Sequence, residues 1–293
     1  YLALTVLETV LLLCGGMPLF DSIVHALGTA GTGGFGIKAD SIASYSHFCQ
    51  WVITVFMLLF GVSFNMYYLL LIKRWREVLK SNELKCYLGI SLAAMIIIVL
   101  SIMPLYGSIA DAVRLSAFQV SSITTTGYAT ADFDAWPSLA KAVLLILMFF
   151  GGCMGSTAGG LKMSRVTVLA QIARNDLRHA LRPREVSTVI LNGRRVDAQG
   201  ERQILSYFAL YIAVIGAVFL LISFEPFGIE TNFSATVSCV NNIGPGFGQV
   251  GPSLSYADYS AFSKLVLSFA MLLGRLEIYP LLLLLSPQLW TKR

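Results

Sequence analysis

Three short stretches of this 293-residue chain combine glycine with threonine or asparagine, and each lies between long apolar segments. They cover residues 29–36, 121–128 and 238–248. Glycine tolerates the backbone dihedral angles that turn carbonyl groups inward, and rings of carbonyl oxygens can replace the water lost by a cation. Threonine hydroxyls can add further oxygens. We therefore interpret the three stretches as quasi-equivalent pore loops that line one ion path.

The glycines Gly34, Gly127 and Gly244 align, which predicts an internal repeat of roughly 90 to 120 residues. Each repeat reads as a span, a half-helix, a glycine-containing loop and a second span. The ion-binding residues predicted from this alignment are Thr32, Gly33, Gly34, Thr125, Thr126, Gly127, Asn242, Ile243 and Gly244.

The composition is that of an all-α integral membrane protein. Hydrophobic residues make up 56% of the chain, charged residues make up 13%, and the mean hydropathy is +0.72. Soluble domains carry about 25% charged residues. The apolar runs are unbroken over about 20 residues, which favours helices over the alternating strands of a barrel. We predict six spans at 2–19, 48–72, 86–106, 138–173 with an interruption, 204–224 and 259–285.

Basic residues indicate the orientation in the membrane. They concentrate in the segments 73–85 and 174–203 and at the end of the chain, whereas Asp40, Asp132, Asp134 and Asp258 lie in the opposite loops. Basic loops face the cytoplasm, so the three pore loops should open to the outside. We expect a helix and a short hairpin in the segment 174–203, which is interpreted either as a solvated connector or as a docking surface for a cytosolic partner. The net charge of +5 does not indicate binding to nucleic acid, because the basic residues lie in these loops beside apolar spans.

The half-helices before the pore loops should point their carboxyl ends at the ion, because the helix dipole there favours a cation. Asp21, Asp111 and Glu230 lie near the opposite, amino-terminal ends. An acid at that end offsets the exposed amides. We prefer this structural role for the three acids over ion binding.

The fourth span is interrupted by a glycine-rich stretch, residues 151–160, which contains five glycines. Glycine costs up to about 1 kcal/mol relative to alanine inside a helix, so this stretch should break the span below the pore loops. We interpret it as a gate, and close packing of small residues is the alternative. The predicted gate residues are Gly151, Gly152, Gly155, Ser156, Thr157, Gly159, Gly160, Lys162 and Arg275.

Charged residues interrupt two apolar spans. A charge in mid-membrane usually faces an aqueous path or a partner. Arg275 and Glu277 are two residues apart and cannot share one helix face, and Arg275 is predicted to face the pore. Snorkelling of Arg275 toward the cytoplasm is the alternative. Glu277 and Glu8 should each need a partner on a neighbouring helix.

The sequence contains no pattern typical of an enzyme. It has no Ser/His/Asp set, carboxylate pair or metal-ligand spacing, and residues 155–162 resemble a phosphate loop without its Gly-Lys-Ser/Thr element. The five cysteines include no C-x-x-C pair, so we expect neither a disulfide nor a metal or other cofactor. A membrane enzyme or scaffold is the less favoured alternative to a transport protein.

These motifs resemble the TrkH/KtrB-type potassium transporters, which are related to the plant HKT proteins. The resemblance covers essentially all 293 residues, and the form of the last loop is similar to that of the TrkH branch. The most specific parts of the resemblance are residues 29–35, 124–128, 151–160, 241–246 and 274–277.

The resemblance implies four span–loop–span repeats around one pseudo-fourfold pore, of which this chain shows the last three. The implied division is 1–72 for the second repeat, 73–85 for a cytoplasmic loop, 86–173 for the third repeat, 174–203 for a cytoplasmic loop and 204–293 for the fourth repeat. The absent first repeat agrees with the abrupt start at Tyr1, and without it the chain should not conduct.

The resemblance also implies the function. It indicates potassium uptake across the inner (plasma) membrane, with potassium as the substrate held by the filter residues, the loop 151–160 as the intramembrane gate and Arg275 as the pore arginine. A homodimer and cytosolic nucleotide-binding regulatory subunits, which would meet the faces near 73–85 and 174–203, are the implied partners. A sodium-permeable or cation-coupled carrier of the same family is the alternative function.

Overall fold

The computed structural model describes residues 1–124, 126–184 and 188–284, apart from the side chains of 282–284. This part of the chain is mostly helical, with a single two-stranded sheet. The helices are α1 (Leu2–Cys14), α2 (Leu19–Ala30), α3 (His47–Phe60), α4 (Phe64–Leu71), α5 (Trp75–Lys80), α6 (Asn82–Tyr106), α7 (Ile109–Ile123), α8 (Ser138–Leu147), α9 (Met163–Leu181), α10 (Ala198–Ile222), α11 (Ile229–Val240), α12 (Ala261–Arg275) and α13 (Ile278–Leu284). The strands are β1 (Ile190–Leu191) and β2 (Arg194–Arg195), and short 3₁₀ helices cover Phe133–Ala135, Gly248–Val250 and Tyr256–Asp258.

Two of the described helices, α6 and α10, are each long and apolar enough to cross a membrane alone. Each has 25 residues and a mean hydropathy of 2.5 over its most apolar stretch. The pair α3 and α4 qualifies as a third span only if the two helices, which meet at 92°, are counted together. The helices α1 and α8 are apolar but shorter.

The second predicted span, 48–72, is therefore not one straight helix. The bend falls at residues 61–63, where the Gly61 carbonyl accepts a hydrogen bond from the Cys153 amide at 2.8 Å. On the other side of the bend, the Phe64 amide donates to the Gly155 carbonyl at 3.2 Å. Because both partners belong to the glycine-rich loop, contacts with a segment that is distant in sequence accompany the bend in this span.

The last predicted span is also divided. The helix α12 ends at Arg275, and Glu277 has a positive φ of 62° before α13 begins. A non-glycine residue with positive φ cannot continue a right-handed helix. The charged pair thus coincides with a break in the helix.

The polar segment 174–203 contains helical residues at both ends and a hairpin between them. The helix α9 continues to Leu181, and α10 begins at Ala198, where the Asp197 side chain accepts a hydrogen bond from the Gly200 amide. Between them lies the predicted hairpin, with Ile190 paired to Arg195. The side chain of Gln171 on α9 holds both backbone polar groups of Ile190, at 2.9 and 3.0 Å.

Three short helices, α2, α7 and α11, each precede one of the predicted pore loops. The predicted acids lie in their first turns, Asp21 in α2, Asp111 in α7 and Glu230 in α11. The last nine residues of α7 and nine of the twelve residues of α11 are buried, because α7 packs against α3 and α6, and α11 packs against α10 and α12. The apolar core extends from α6 to α12, and a second cluster joins α1, α2 and α3 to Tyr128.

Candidate ion pathway

One cavity of about 640 Å³ brings the three predicted pore loops together. Each loop contributes to its wall, and Arg275 lines it as well. The predicted ion-binding residues at the wall are Thr32, Gly33, Gly34, Gly127, Asn242, Ile243 and Gly244. Thr126 is buried behind the wall, with 1% of its surface exposed, and Thr125 lies outside the described residues.

The aligned glycines have the backbone conformation that the sequence predicted. The φ angles are 66° at Gly34, 95° at Gly127 and 117° at Gly244, a region that L-residues rarely occupy. Thr32 and Asn242, each two residues before an aligned glycine, also have positive φ values of 50° and 57°. The pattern of glycines gave no signal for these two strained positions.

The loops contact one another in chain order. A β-carbon on Gly34 would lie 2.0 Å from the carbonyl oxygen of Thr126 in the second loop. A β-carbon on Gly127 would lie 1.8 Å from the carbonyl oxygen of Ile243 in the third loop. Glycine is therefore required at both positions, for close approach as well as for the dihedral angle.

Two serines hold the second and third loops against their own helices. The hydroxyl of Ser122 donates to the carbonyl of Tyr128. The hydroxyl of Ser238 donates to the carbonyl of Pro245 at 3.0 Å and accepts from the Gly244 amide at 3.0 Å. Sequence reasoning missed both serines, because they stand six and seven residues before their carbonyl partners and therefore do not align with a common spacing.

The glycine-rich stretch is an irregular loop between α8 and α9, as predicted. Its ends are joined by hydrogen bonds from the Gly151 amide to the Leu161 carbonyl, at 2.9 Å, and from the Met163 amide to the Gly152 carbonyl, at 3.0 Å. A β-carbon on Gly159 would lie 2.7 Å from the Asn241 carbonyl. The loop is thus packed directly against the start of the third pore loop.

The guanidinium of Arg275 joins the first pore loop to the glycine-rich loop. It donates to the Thr157 carbonyl at 2.7 Å, to the Thr32 hydroxyl at 3.1 Å and to the Gly31 carbonyl at 3.0 Å. Thr32 also donates to the Thr157 carbonyl, at 3.1 Å. The side chain therefore lies in the cavity wall, at the carboxyl end of α2.

Gly274 and Glu277, on either side of Arg275, contact different helices. A β-carbon on Gly274 would lie 1.7 Å from the Val240 carbonyl, so α12 can approach α11 only with glycine there. Glu277 makes an ion pair with Arg165 of α9 at 2.7 Å, and the Arg165 guanidinium lies 3.7 Å from the centre of the Tyr207 ring. Glu277 thus has the partner that its place in an apolar span required.

Other contacts support the glycine-rich loop. Lys162 donates to the Ala158 carbonyl within the loop. The buried carboxylate of Glu83, at the start of α6, accepts a hydrogen bond from the Met154 amide at 2.5 Å. The Tyr211 hydroxyl donates to the Asn241 side chain at 2.8 Å. Glu83 and Tyr211 were not predicted as site residues, because their roles depend on contacts distant in sequence.

No cluster of metal-ligating side chains occurs within 1–124, 126–184 and 188–284. All five cysteines are free thiols, and Cys49, Cys153 and Cys239 are buried. Among the described residues, the side chains at the cavity that carry neutral oxygen atoms are those of Thr32, Ser41, Ser238, Asn242, Ser255, Tyr256 and Ser268.

Two membrane-length helices and a cavity bordered by three glycine-containing loops are features of a helical membrane protein. A family model described as "TrkH: Cation transport protein" matches residues 5–292, and the chain belongs to this family.

Individual relatives agree with that assignment. The Trk system potassium uptake protein TrkG of Escherichia coli K12 is 32% identical over 94% of this chain and 57% of its own length. The Trk system potassium uptake protein TrkH of Salmonella typhimurium is 31% identical over 99% of this chain and 61% of its own length. The crystal structure of the potassium transporter TrkH from Vibrio parahaemolyticus superimposes on this chain with a TM-score of 0.91 at 30% identity. The superposition covers 99% of this chain and 63% of the transporter chain. The chain thus spans about three fifths of the length of these relatives.

Proposed function

We propose that this chain is part of the ion-conducting subunit of a Trk-type potassium-uptake system. The observation that carries the proposal is the convergence of Gly34, Gly127 and Gly244, all with positive φ, on one cavity whose wall includes Arg275. The relatives named as potassium uptake proteins support the choice of cation. The transport step involves no covalent chemistry, and the membrane potential drives the cation inward.

The filter is proposed to consist of the nine predicted residues in the three loops. A cation that enters from outside exchanges its water for backbone carbonyl oxygens and threonine hydroxyls. The carboxyl ends of α2, α7 and α11 precede these loops, and their dipoles lower the energy of a positive charge there. The dipoles of three helix ends directed at one site stabilise a cation there more than the dipole of one helix end does.

The repeats are proposed to surround the pore with pseudo-fourfold symmetry. The contacts of Gly34 with the second loop and of Gly127 with the third support a sequential arrangement around one axis. The units are those defined from the sequence, 1–72, 86–173 and 204–293, joined by cytoplasmic segments 73–85 and 174–203. The family resemblance supplies the fourth unit of this proposal.

The gate is proposed to be the glycine-rich loop together with Arg275. The contact of Gly159 with Asn241 and that of Thr157 with Thr32 support an obstruction directly below the filter. Lys162 and Arg275 add two positive charges at this level, which disfavour a cation as long as the loop remains in place. The gate opens when the glycine-rich loop moves away from Arg275.

The orientation and the partners are proposed from charge and resemblance. The basic segments 73–85 and 174–203 lie on the cytoplasmic side of the inner membrane, and the filter loops face outside. The resemblance favours a homodimer whose cytoplasmic faces meet nucleotide-binding regulatory subunits. The exposed basic residues of α5 and of the β1–β2 hairpin support a surface for such a partner.

The proposal can be tested in a bacterium that lacks its own potassium-uptake systems. The gene, expressed in the full-length form that it encodes, should restore growth at low external potassium and uptake of rubidium as a tracer. A matched strain that expresses Gly127→Ala should not grow, although the protein reaches the membrane. Robust sodium uptake without rescue would overturn the assignment of potassium and favour the sodium-permeable carrier.

A further inference from the structure

A side chain outside the glycine-rich loop holds the backbone of that loop. The Met154 amide donates a hydrogen bond to a carboxyl oxygen of Glu83 at 2.5 Å, although the two residues are 71 positions apart in sequence. The neighbouring loop residues, Cys153 and Gly155, are bonded through their backbones to the bend between α3 and α4. The Met154 side chain is 62% exposed. Hydrogen bonds, and not the packing of the Met154 side chain, therefore fix this turn of the loop.

Glu83 is suited to this contact by its place in α6. It lies in the first turn of that helix, and 3% of its surface is exposed. The amino-terminal end of a helix stabilises a negative charge, so a carboxylate tolerates burial better there than elsewhere in the span. Of the three bonds that hold residues 153–155 to other segments, the bond to Glu83 is made by a side chain. It can therefore be removed by substitution without a change in any backbone partner.

The helix start that carries Glu83 is bonded to the β1–β2 hairpin. Ser81 is the amino-terminal cap of α6, and its hydroxyl donates to the Asn192 side chain at 3.0 Å. Asn192 stands in the turn between β1 and β2, with a positive φ of 50°. The same hairpin is bonded to Gln171 on α9, the helix that follows the glycine-rich loop. The hairpin thus contacts the helix that holds the loop and the helix that continues it.

The glycine-rich loop is held at two separate places. Arg275 bonds to Thr157 at the wall of the cavity, and Glu83 bonds to Met154. Within the described part of the chain, neither Met154 nor Glu83 is among the residues that line the cavity. A change at Glu83 therefore loosens the loop without altering an atom that a cation in the cavity would meet.

We propose that Glu83 is a positioning residue that holds the glycine-rich loop in its obstructing position, and that the bond between Ser81 and Asn192 connects this contact to the β1–β2 hairpin. The inference deepens the proposed function and rests on it, because an obstruction is what the contact would hold. A shift of the hairpin displaces the start of α6 and with it the acceptor of the Met154 amide. Three residues outside the loop and the cavity thereby take part in gating.

The first test measures potassium and sodium fluxes into lipid vesicles that contain the purified full-length protein. Glu83→Leu keeps the volume of the side chain without an acceptor, and we expect the maximal potassium flux to rise about fivefold, the effect of one lost hydrogen bond. The apparent KM for potassium and the potassium-to-sodium flux ratio should stay unchanged, because the filter is not touched. Glu83→Gln retains an oxygen that accepts from the Met154 amide, and it should behave as the wild type.

The matched control is Glu201→Leu, because Glu201 lies in the first turn of α10, a helix of the same length as α6. Its flux should equal that of the wild type. An unchanged or lower flux in well-folded Glu83→Leu would overturn the positioning role. So would a Glu83→Gln flux as high as that of Glu83→Leu, or a changed flux ratio, which would place the effect at the filter.

The connection to the hairpin is tested by Asn192→Gly, which removes the acceptor of the Ser81 hydroxyl and tolerates the positive φ. We expect this change to raise the potassium flux at least about twofold, the effect of a weak hydrogen bond. In the Glu83→Leu background it should have no further effect, because the contact through which the hairpin acts is already lost. Equal increases in both backgrounds, or no increase in either, would overturn the connection.

The second test does not depend on transport. Hydrogen–deuterium exchange, read by mass spectrometry on a peptide that contains Met154, should be at least about fivefold faster at the Met154 amide in Glu83→Leu than in the wild type and Glu83→Gln. Equal exchange in the three proteins would contradict the contact. If the wild type transports no potassium, the proposed function fails, whereas exchange at Met154 still decides whether Glu83 holds the loop.

Discussion

The guanidinium of Arg275 donates a hydrogen bond to the carbonyl of Thr157 at 2.7 Å, which connects the break in the last span to the loop that interrupts the fourth. The two residues are 118 positions apart in sequence. Both are also bonded to Thr32 of the first pore loop. A single side chain thus links the proposed filter, the proposed gate and the last helix pair.

Substitution of Arg275 by alanine is expected to raise the rate of potassium uptake by at least about fivefold, because it removes roughly 1 kcal/mol of repulsion from the ion path. The same change frees the Thr157 carbonyl and so loosens the loop. Rubidium uptake into vesicles measures the effect, normalised to the amount of protein. Arg174→Ala is the control, since Arg174 is an exposed cation on α9. A reduced rate in well-folded Arg275→Ala would contradict the gating role.

Substitution of Gly127 by alanine is expected to abolish selective uptake. The new β-carbon would lie 1.8 Å from the Ile243 carbonyl, and φ is 95°. The left-handed conformation alone costs roughly 1–2 kcal/mol for a residue with a β-carbon. Gly216→Ala is the matched control, because Gly216 lies within α10 with nothing within 4 Å of the added atom. Normal selectivity in Gly127→Ala would rule out the close contact between the second and third loops.

Substitution of Ser238 by alanine is expected to lower the ratio of potassium to sodium flux about fivefold or more, because two hydrogen bonds of roughly 1 kcal/mol each are lost from the third loop. Without these bonds the third loop is free to widen, and the filter then discriminates less between the two cations. The control is Ser223→Ala, whose hydroxyl bonds only to the Phe219 carbonyl of its own helix. Equal flux ratios for the two variants would mean that Ser238 does not hold the filter.

The ion pair between Arg165 and Glu277 is expected to stabilise the contact of α9 with the end of α12. The side chains are 19% and 44% exposed, so solvent screening limits the coupling to about 0.5–1 kcal/mol. A double-mutant cycle of Arg165→Met and Glu277→Gln, with thermal unfolding in detergent, measures this energy. Additive effects of the two substitutions would show that the pair contributes nothing. The same cycle on the exposed pair of Arg74 and Glu77 should give a smaller value.

Composition and motifs were sufficient for the helical membrane class, the three glycine loops and the interruption at residues 151–160. These features depend on local properties, since long apolar runs form helices and glycine permits positive φ wherever it stands. The resemblance of those motifs also led to the family, which the match over residues 5–292 confirms. The acids in the first turns of α2, α7 and α11 could be predicted for the same reason, because the helix dipole acts on charges within the first turn.

Tertiary contacts alone decided the 92° bend between α3 and α4, since the residues that bond to either side of it belong to the loop between α8 and α9. They also decided the role of Glu83, whose partner Met154 is 71 residues away, whereas Ser122 and Ser238 bond to carbonyls only six and seven residues further along the chain. Arg275 was predicted to face the pore, but its bonds to Gly31, Thr32 and Thr157 exist only because three separate segments meet there. Sequence determined which residues were suited to an ion path, and packing between distant segments decided which of them meet, because hydrogen bonds act over about 3 Å whatever the separation along the chain.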